Sequence, residues 1–198
     1  MIAGVVLAAG RSSRLGRPKQ LLDLHGQPLL RVTLDRVLAA HLDVVYVVLG
    51  HEAEAIRAAI AGLPVQIIHN PDAAQGQSTS VLAGINAAAT GDPEAVVFLL
   101  GDQPQIAPAL IDALTARWRE TGAGVVAPEY TDGIGNPILF DRRVLPDLAS
   151  LTGDVGARDV VRAHKASGDI ALVPVPAPAP RDVDTEDDYA ALLAAFTP

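Results

Sequence analysis

The chain has 198 residues, 15 basic and 23 acidic side chains for a formal charge of −8, no cysteine, 49% hydrophobic residues and 4% aromatic ones. That length suits one full hydrophobic core and is short for two of ordinary size, so a single domain spanning 1–198 is expected. The acidic balance argues against a nucleic-acid binder, and zero cysteine excludes disulfide frameworks, thiolate metal sites and thiol nucleophiles, while no apolar run approaches the roughly 18–20 residues of a membrane-spanning helix. The apolar start Met1–Ala9 has neither a basic leader nor a cleavage site, so a cytoplasmic protein with no membrane attachment is expected.

Along the chain, short aliphatic runs alternate with segments of helical spacing. Ile2–Ala8 is nearly continuous in apolar residues, as in a strand buried on both faces of a parallel sheet. Leu29–Ala40 then sets Leu30, Leu34, Val37 and Leu38 on one helical stripe, with Pro28 at its start, where a missing N–H costs nothing. Val44–Leu49 reads as the next strand, Ala53–Ala61 as a helix carrying Ile56 and Ile60, and Val65–His69 as a strand. Ser80–Ala89 follows as a helix, Ala95–Leu100 as a strand, Pro108–Thr121 as a helix and Gly124–Ala127 as a strand. Gly62, Gly91 and Gly122 stand where C-terminal helix caps would.

Further on, Glu129–Asn136 is a polar loop, Pro137–Phe140 a short strand and Ile170–Val175 the last strand. Pro174, Pro176, Pro178 and Pro180 then favour an extended segment leading to a closing helix over Thr185–Phe196. The alternation predicts a Rossmann-like three-layer α/β/α domain with a mostly parallel sheet.

In such sheets ligands bind beyond the carboxyl ends of the strands. The first of those loops, Ala8-Ala9-Gly10-Arg11-Ser12-Ser13-Arg14-Leu15-Gly16-Arg17-Pro18-Lys19, holds four basic residues and no acid, and Lys19 is one of only two lysines in the chain. Its glycines let backbone N–H groups approach phosphate oxygens; Arg14 can fork two oxygens and Lys19 serves as a compact point charge. A solvated basic loop is the plainer reading. The spacing matches neither a Walker loop nor the dinucleotide fingerprint.

A second loop, Gly101-Asp102-Gln103-Pro104, puts a carboxylate at the end of a buried strand. It can take a hard divalent cation such as magnesium, or merely cap the helix that follows. Asp184, just before the Thr185/Asp188 capping pattern, can face the same metal or belong only to the helix start. Asn70, Gly76, Ser78 and Ser80 supply neutral donors and acceptors suited to a base or ribose, or to a turn and a helix cap. The five histidines show no metal-ligand spacing, and no nucleophile elbow is present.

Taken in order, Val6–Gly16 with Pro18-Lys19-Gln20-Leu21-Leu22, His69-Asn70-Pro71, Gln75–Ser80, Gly101-Asp102-Gln103-Pro104, Gly153–Arg158 and Asp182–Tyr189 resemble the molybdenum cofactor cytidylyltransferase branch of the nucleotidyltransferases. That branch also includes accessory proteins of xanthine- and CO-dehydrogenase-type enzymes. The resemblance covers nearly the whole chain and implies a fold of the nucleotide-diphospho-sugar transferase type. It implies transfer of CMP from CTP to the phosphate of molybdopterin, with release of pyrophosphate and dependence on Mg2+. Guanylyl transfer from GTP, another small phosphorylated acceptor, and a non-catalytic carrier for a molybdenum hydroxylase are the alternatives.

Carried over by position, the resemblance implies Ala8, Ala9, Gly10, Asn70, Gly76, Ser78 and Ser80 at the nucleotide and Arg14 and Lys19 on its triphosphate. Asp102 and Asp184 would be at the metal, with Lys19, Arg14 and Asp102 carrying catalysis. Where guanylyl relatives read Leu-Ala-Gly-Gly this chain has Leu7-Ala8-Ala9-Gly10, and the added Ala9 methyl favours a pyrimidine. Asn136, Asp154 and Arg158 are the acceptor-side candidates; Asn136 stands where the family commonly has histidine, so an imidazole role there is lost.

Overall fold

The computed structural model describes residues 1–12, 14–153 and 157–196. Strand β1 (Ile2–Ala8) is buried at every position but Leu7, as its unbroken apolar run requires of a central strand. A two-residue hairpin follows, β2 (Asp23–Leu24) and β3 (Gln27–Pro28), leading into helix α1 (Leu29–Leu38). Next come β4 (Val44–Leu49), α2 (Ala53–Ala59), β5 (Gln66–His69), α3 (Gln77–Ala89), β6 (Ala95–Leu100) and α4 (Pro108–Thr121). The remaining elements are β7 (Val125–Tyr130), β8 (Gly133–Ile134), β9 (Ile138–Asp141), α5 (Leu145–Ala149), α6 (Arg158–Ser167), β10 (Ile170–Pro174) and α7 (Glu186–Ala195).

The main sheet has the order β10-β7-β9-β6-β1-β4-β5, with β8 paired to β7. Strand β1 pairs in parallel with both β4 and β6, and β4 with β5. The chain winds outwards in one direction from β1 through β4 and in the other through β6, so the strand order reverses between β1 and β6. At such a reversal the loops leaving the two strands splay apart and open a crevice. Strand β9 runs antiparallel to both β6 and β7, and β8 antiparallel to β7. The sheet is therefore mostly parallel, and part of the stretch expected to be a polar loop, Glu129–Asn136, is the β7–β8 hairpin.

The two faces of the sheet are covered separately. Leu30 and Leu34 of α1, Ile56 of α2 and Ile111 and Leu114 of α4 pack on one face with Val6, Val47 and Leu99. Val81 and Ile85 of α3, Leu145 and Leu148 of α5 and Val160 and Val161 of α6 pack on the other with Val5, Val48 and Phe140. These are the three layers predicted from the alternation. Helix α6 was not legible in sequence because only Val160 and Val161 of its ten residues are buried. Of the glycines expected as caps, Gly122 is one: it lies at φ +63 and donates to the Trp118 carbonyl at 2.8 Å. Gly91 is not, since its φ is not positive and Thr90 closes α3 in ordinary helical geometry.

Helix α7 lies outside both layers. Its Leu192 packs with Leu15, Leu22, Leu24, Leu29 and Val183, which ties the C-terminal segment to the first loop and to the β2–β3 hairpin. Arg17 grips Glu186 with two bonds of 2.9 and 3.0 Å, and Tyr189 donates its hydroxyl hydrogen to the Asp23 carbonyl. The helix starts at a reciprocal box in which the Thr185 hydroxyl accepts from the Asp188 N–H at 3.1 Å and the Asp188 carboxylate accepts from the Thr185 N–H at 2.9 Å. The Thr185 hydroxyl bond leads the causes that hold the Asp188 carboxyl below its ordinary range. Thr185→Ala is expected to lower the unfolding free energy by about 1 kcal/mol, the usual worth of an N-cap, in urea denaturation. A loss of no more than about 0.3 kcal/mol would mean that packing alone holds α7. No helix among the described residues is long and apolar enough to cross a membrane.

Candidate active site

The crevice lies where the reversal puts it. A cleft of about 510 Å³ is bounded by the loop after β1, the turn after β6 and the start of α3, with Asp182 at one edge. Ala8, Ala9, Gly10, Lys19, Gly76, Ser80 and Asp102 all line it.

The first loop folds on itself around Ser12. The Leu15 and Gly16 N–H groups donate to the Ser12 carbonyl at 3.0 and 3.1 Å, and the Lys19 N–H donates to its hydroxyl at 3.0 Å. Ser12 adopts φ +52, a left-handed conformation that costs a non-glycine residue energy and is held here by those bonds. Buried Gln20 pins the other side: its Nε2 donates to the Ala8 carbonyl at 2.8 Å and to the Gly10 carbonyl at 3.1 Å. The positions flanking Ala9 are thus fixed by a side chain ten and twelve residues away.

Two close approaches explain glycines at the cleft. A Cβ on Gly101 would stand 2.9 Å from the Ala8 Cβ and 3.2 Å from the Leu7 carbonyl oxygen, so the β1 and β6 ends touch only because Gly101 has none. A Cβ on Gly50 would stand 3.0 Å from the Ala9 Cβ, so the Ala9 methyl is turned towards Gly50.

Charge concentrates at the far end of the first loop. The Lys19 ammonium donates to Asp102 Oδ2 at 2.5 Å and to Asp184 Oδ1 at 3.2 Å. The Lys19 and Asp102 side chains are only 17% and 8% exposed. Burial works against the ammonium, but the charges and hydrogen bonds of Asp102 and then Asp184 outweigh it and lift the Lys19 pKa above its ordinary 10.5. Arg14 reaches the other oxygen of Asp184 at 3.1 Å from an exposed position at the rim.

A third carboxylate, Asp182, stands beside them. Its pKa is raised first by burial of its inner side and next by the charge of Asp102, with the Gln103 hydrogen bond and Lys19 offsetting part of this. Gln103 donates to Asp182 Oδ1 at 2.9 Å and to the Pro180 carbonyl at 3.3 Å, which fastens the proline-rich segment onto the turn after β6.

A second pocket of about 270 Å³ adjoins the cleft and shares Leu7, Gln77, Leu100 and Asp182 with it. Asn136 and Arg158 line it together with apolar Phe98 and Ile138. Tyr130 donates its hydroxyl hydrogen to the Asn136 carbonyl at 2.7 Å, and burial followed by the charge of Asp132 pushes its pKa up to about 12.

Most of the residues singled out in sequence are brought together here. Asn70, Ser78, Arg14 and Asp184 are not among the residues lining the cleft; Asp184 meets it through Lys19, and Arg14 through Asp184. The Asn70 amide donates to the Thr79 and Ser80 hydroxyls at 2.9 Å each and its carbonyl oxygen accepts from the Asp72 N–H, so it folds the loop and reaches the cleft only through Ser80. Buried Ser78 donates its N–H to the Gly153 carbonyl at 3.2 Å. Asp154 lies outside the described residues. Gln20, Gln103 and Asp182 carry no signal in sequence that separates them from ordinary polar neighbours. Only the tertiary contacts reveal their places.

The acidic pair fits a divalent cation that arrives with a polyphosphate. Asp102 and Asp184 converge on a single positive charge, and magnesium commonly takes one or two carboxylates and completes its shell from phosphate oxygens and water. Among the described residues no group of three or more His, Cys, Asp or Glu is arranged to hold a metal with protein ligands alone.

Residues 4–168 match the MobA-like NTP transferase domain family. The chain is similar to purine catabolism protein PucB of Bacillus subtilis strain 168, at 32% identity over 95% of this chain and 94% of that protein. It is also similar to nicotine blue oxidoreductase of Paenarthrobacter nicotinovorans, at 33% over 81% of each. With molybdenum cofactor cytidylyltransferase of Escherichia coli K12 the identity is 28%, over 98% of this chain and 96% of that protein. Among solved structures, the homolog of Mycobacterium tuberculosis Rv0371c from Mycobacterium sp. strain JC1 superposes with a TM-score of 0.85 at 38% identity, covering 98% of this chain and 96% of that one. Rv0371c itself, from strain H37Rv and in complex with manganese, gives a TM-score of 0.80 at 34% identity over 98% and 99%.

Proposed function

The chain belongs to the MobA-like NTP transferase family and is a nucleotidyltransferase, and from that premise we propose that it transfers CMP from CTP to the phosphate of a molybdopterin-type acceptor. On this reading residues 1–198 form a single nucleotidyltransferase domain working with magnesium or a similar divalent cation. The observation that carries the proposal is the shared cleft, in which Lys19 and Asp102 face each other beside a second pocket reached through Leu7, Gln77, Leu100 and Asp182.

The nucleoside lies along Ala8, Ala9 and Gly10, with Gly76 and Ser80 opposite. Lys19 and Arg14 take the triphosphate. The acceptor enters the second pocket, which Asn136 and Arg158 help to line, so that its phosphate meets the α-phosphorus near Asp182. An acceptor phosphate oxygen attacks in line, a new P–O bond forms and the bond from the α-phosphorus to the bridging oxygen breaks, releasing pyrophosphate. A phosphate monoester is already nucleophilic near neutral pH, so the chain need supply no base. Its tasks are alignment and neutralisation of the crowded negative charge. The divalent cation, held by Asp102 and Asp184 when bound, supplies further neutralisation at the phosphate oxygens.

Incubation with each of CTP, GTP, ATP and UTP, magnesium and molybdopterin tests the proposal, reading pyrophosphate release and nucleotide attached to the pterin. CTP is expected to give the product. Transfer from GTP at an equal or higher rate would move the assignment to a guanylyltransferase. No transfer from any triphosphate, with retention of a molybdenum hydroxylase in a pull-down, would leave a carrier in place of an enzyme.

A further inference from the structure

We propose that the Lys19 ammonium is the resident counter-ion of the Asp102–Asp184 pair and keeps the cation position closed to free divalent metal until a triphosphate draws the ammonium away. This rests on the reading of Asp102 and Asp184 as the metal-holding pair, and adds to it a linkage between the two ligands.

Lys19 Nζ bridges one oxygen of each carboxylate, Asp102 Oδ2 at 2.5 Å and Asp184 Oδ1 at 3.2 Å. Magnesium bonds carboxylate oxygens at roughly 2.0–2.1 Å. A metal on those same two oxygens would stand where the ammonium nitrogen stands, so the two cations exclude each other. Asp102 is buried, and breaking its ion pair without a replacement leaves a charge uncompensated away from water.

The lysine stem is a flexible four-carbon chain with a single charged head, able to exchange two carboxylates for phosphate oxygens without moving the backbone. That backbone stays tied by the Lys19 N–H to the Ser12 hydroxyl at 3.0 Å. A free metal ion must therefore displace Lys19 with nowhere favourable for it to go, whereas a metal entering with a triphosphate brings the ammonium a new partner. Metal and triphosphate each strengthen the binding of the other, and by linkage they do so equally. Arg14 adds little to the blockade, because its pair with Asp184 is largely in water.

The test is a titration with Mn2+, read by the electron paramagnetic resonance of the free aquo ion, on the wild-type protein, Lys19→Met and Asp102→Asn, each with and without CTP. Without nucleotide, Lys19→Met is expected to bind Mn2+ about tenfold more tightly than wild type, within the ordinary range of coupling between sites. CTP should tighten Mn2+ binding in the wild type and lose most of that effect in the variant. Equal or weaker Mn2+ binding by nucleotide-free Lys19→Met overturns the proposal. Should that variant fail to fold, Lys19→Gln, which keeps an N–H donor for Asp102 and removes the charge, is read by the same criterion. If instead Asp102→Asn holds Mn2+ and CTP as well as wild type does, the metal-pair reading itself is what fails.

Discussion

Asp102→Asn is expected to cut turnover about 10²–10³-fold while leaving the fold in place, as is usual when one charged contact to a transition state is lost. The substitution keeps size and hydrogen-bonding capacity at a buried position and removes one negative charge. Asp102 is 6% exposed and its nearest charged partner is the Lys19 ammonium at 2.5 Å. Only Asp184 would then hold the cation with a full charge, and it stands at the more open rim. Single-turnover transfer of CMP, with a thermal melt alongside, measures both halves of the expectation. Turnover within about threefold of wild type at an unchanged melting temperature would remove Asp102 from the machinery, since the loss expected is about 10²-fold or more.

Lys19→Ala carries a comparable loss of turnover and a stability cost with a defined pH dependence. It leaves Asp102 buried beside Asp182 and Asp184 with no ammonium between them, and breaking a buried pair from one side costs on the order of 3 kcal/mol. The Lys19 pKa is raised in the folded protein because Asp102 and Asp184 outweigh burial. A raised folded value means that the contribution is complete below the unfolded value, near 10.5, and disappears as pH rises through the folded one. Denaturation of wild type and variant should therefore differ by a constant amount from pH 7 to about pH 10, and the gap should narrow above that. A gap that closes between pH 7 and pH 9 would mean that another group, not the lysine, supports the cluster.

Much of the layer structure was legible from the chain because both kinds of element announce themselves by burial pattern. β1, β4, β6 and α4 have the boundaries predicted for them, since each begins and ends where apolar spacing does. α3 begins three residues before the predicted start, at Gln77, because Gly76 makes the turn and polar Ser78 and Ser80 are buried rather than capping. β9 was expected as a strand but not as an antiparallel one, for the direction of a strand depends on how its connection returns. β8, α5 and α6 went unread because each has too few apolar positions to set a period.

The site divides in the same way. A positive loop with two lone glycines, and a carboxylate at the end of an apolar strand, stand out in one dimension. Gln20 and Gln103 do not, yet both are buried with a side-chain oxygen that has no hydrogen-bond partner among the described residues, and each spends its donor nitrogen on distant backbone or carboxylate oxygens. Asp182 read as one acid among several before a helix; its place between the cleft and the adjoining pocket follows from the Gln103 bond and from burial of Val183.

What the amino-acid order determined alone was which segments must be covered on both faces, where charge gathers against an acidic background, and which loops leave the strand ends. Those properties follow from local composition and period, which no neighbour is needed to define. The meeting of Lys19, Asp102 and Asp184 was decided only in three dimensions. They lie 83 and 165 positions apart along the chain, and it is the packing of α7 on the first loop, with the reversal of strand order beside β1, that brings their charges within reach of one another.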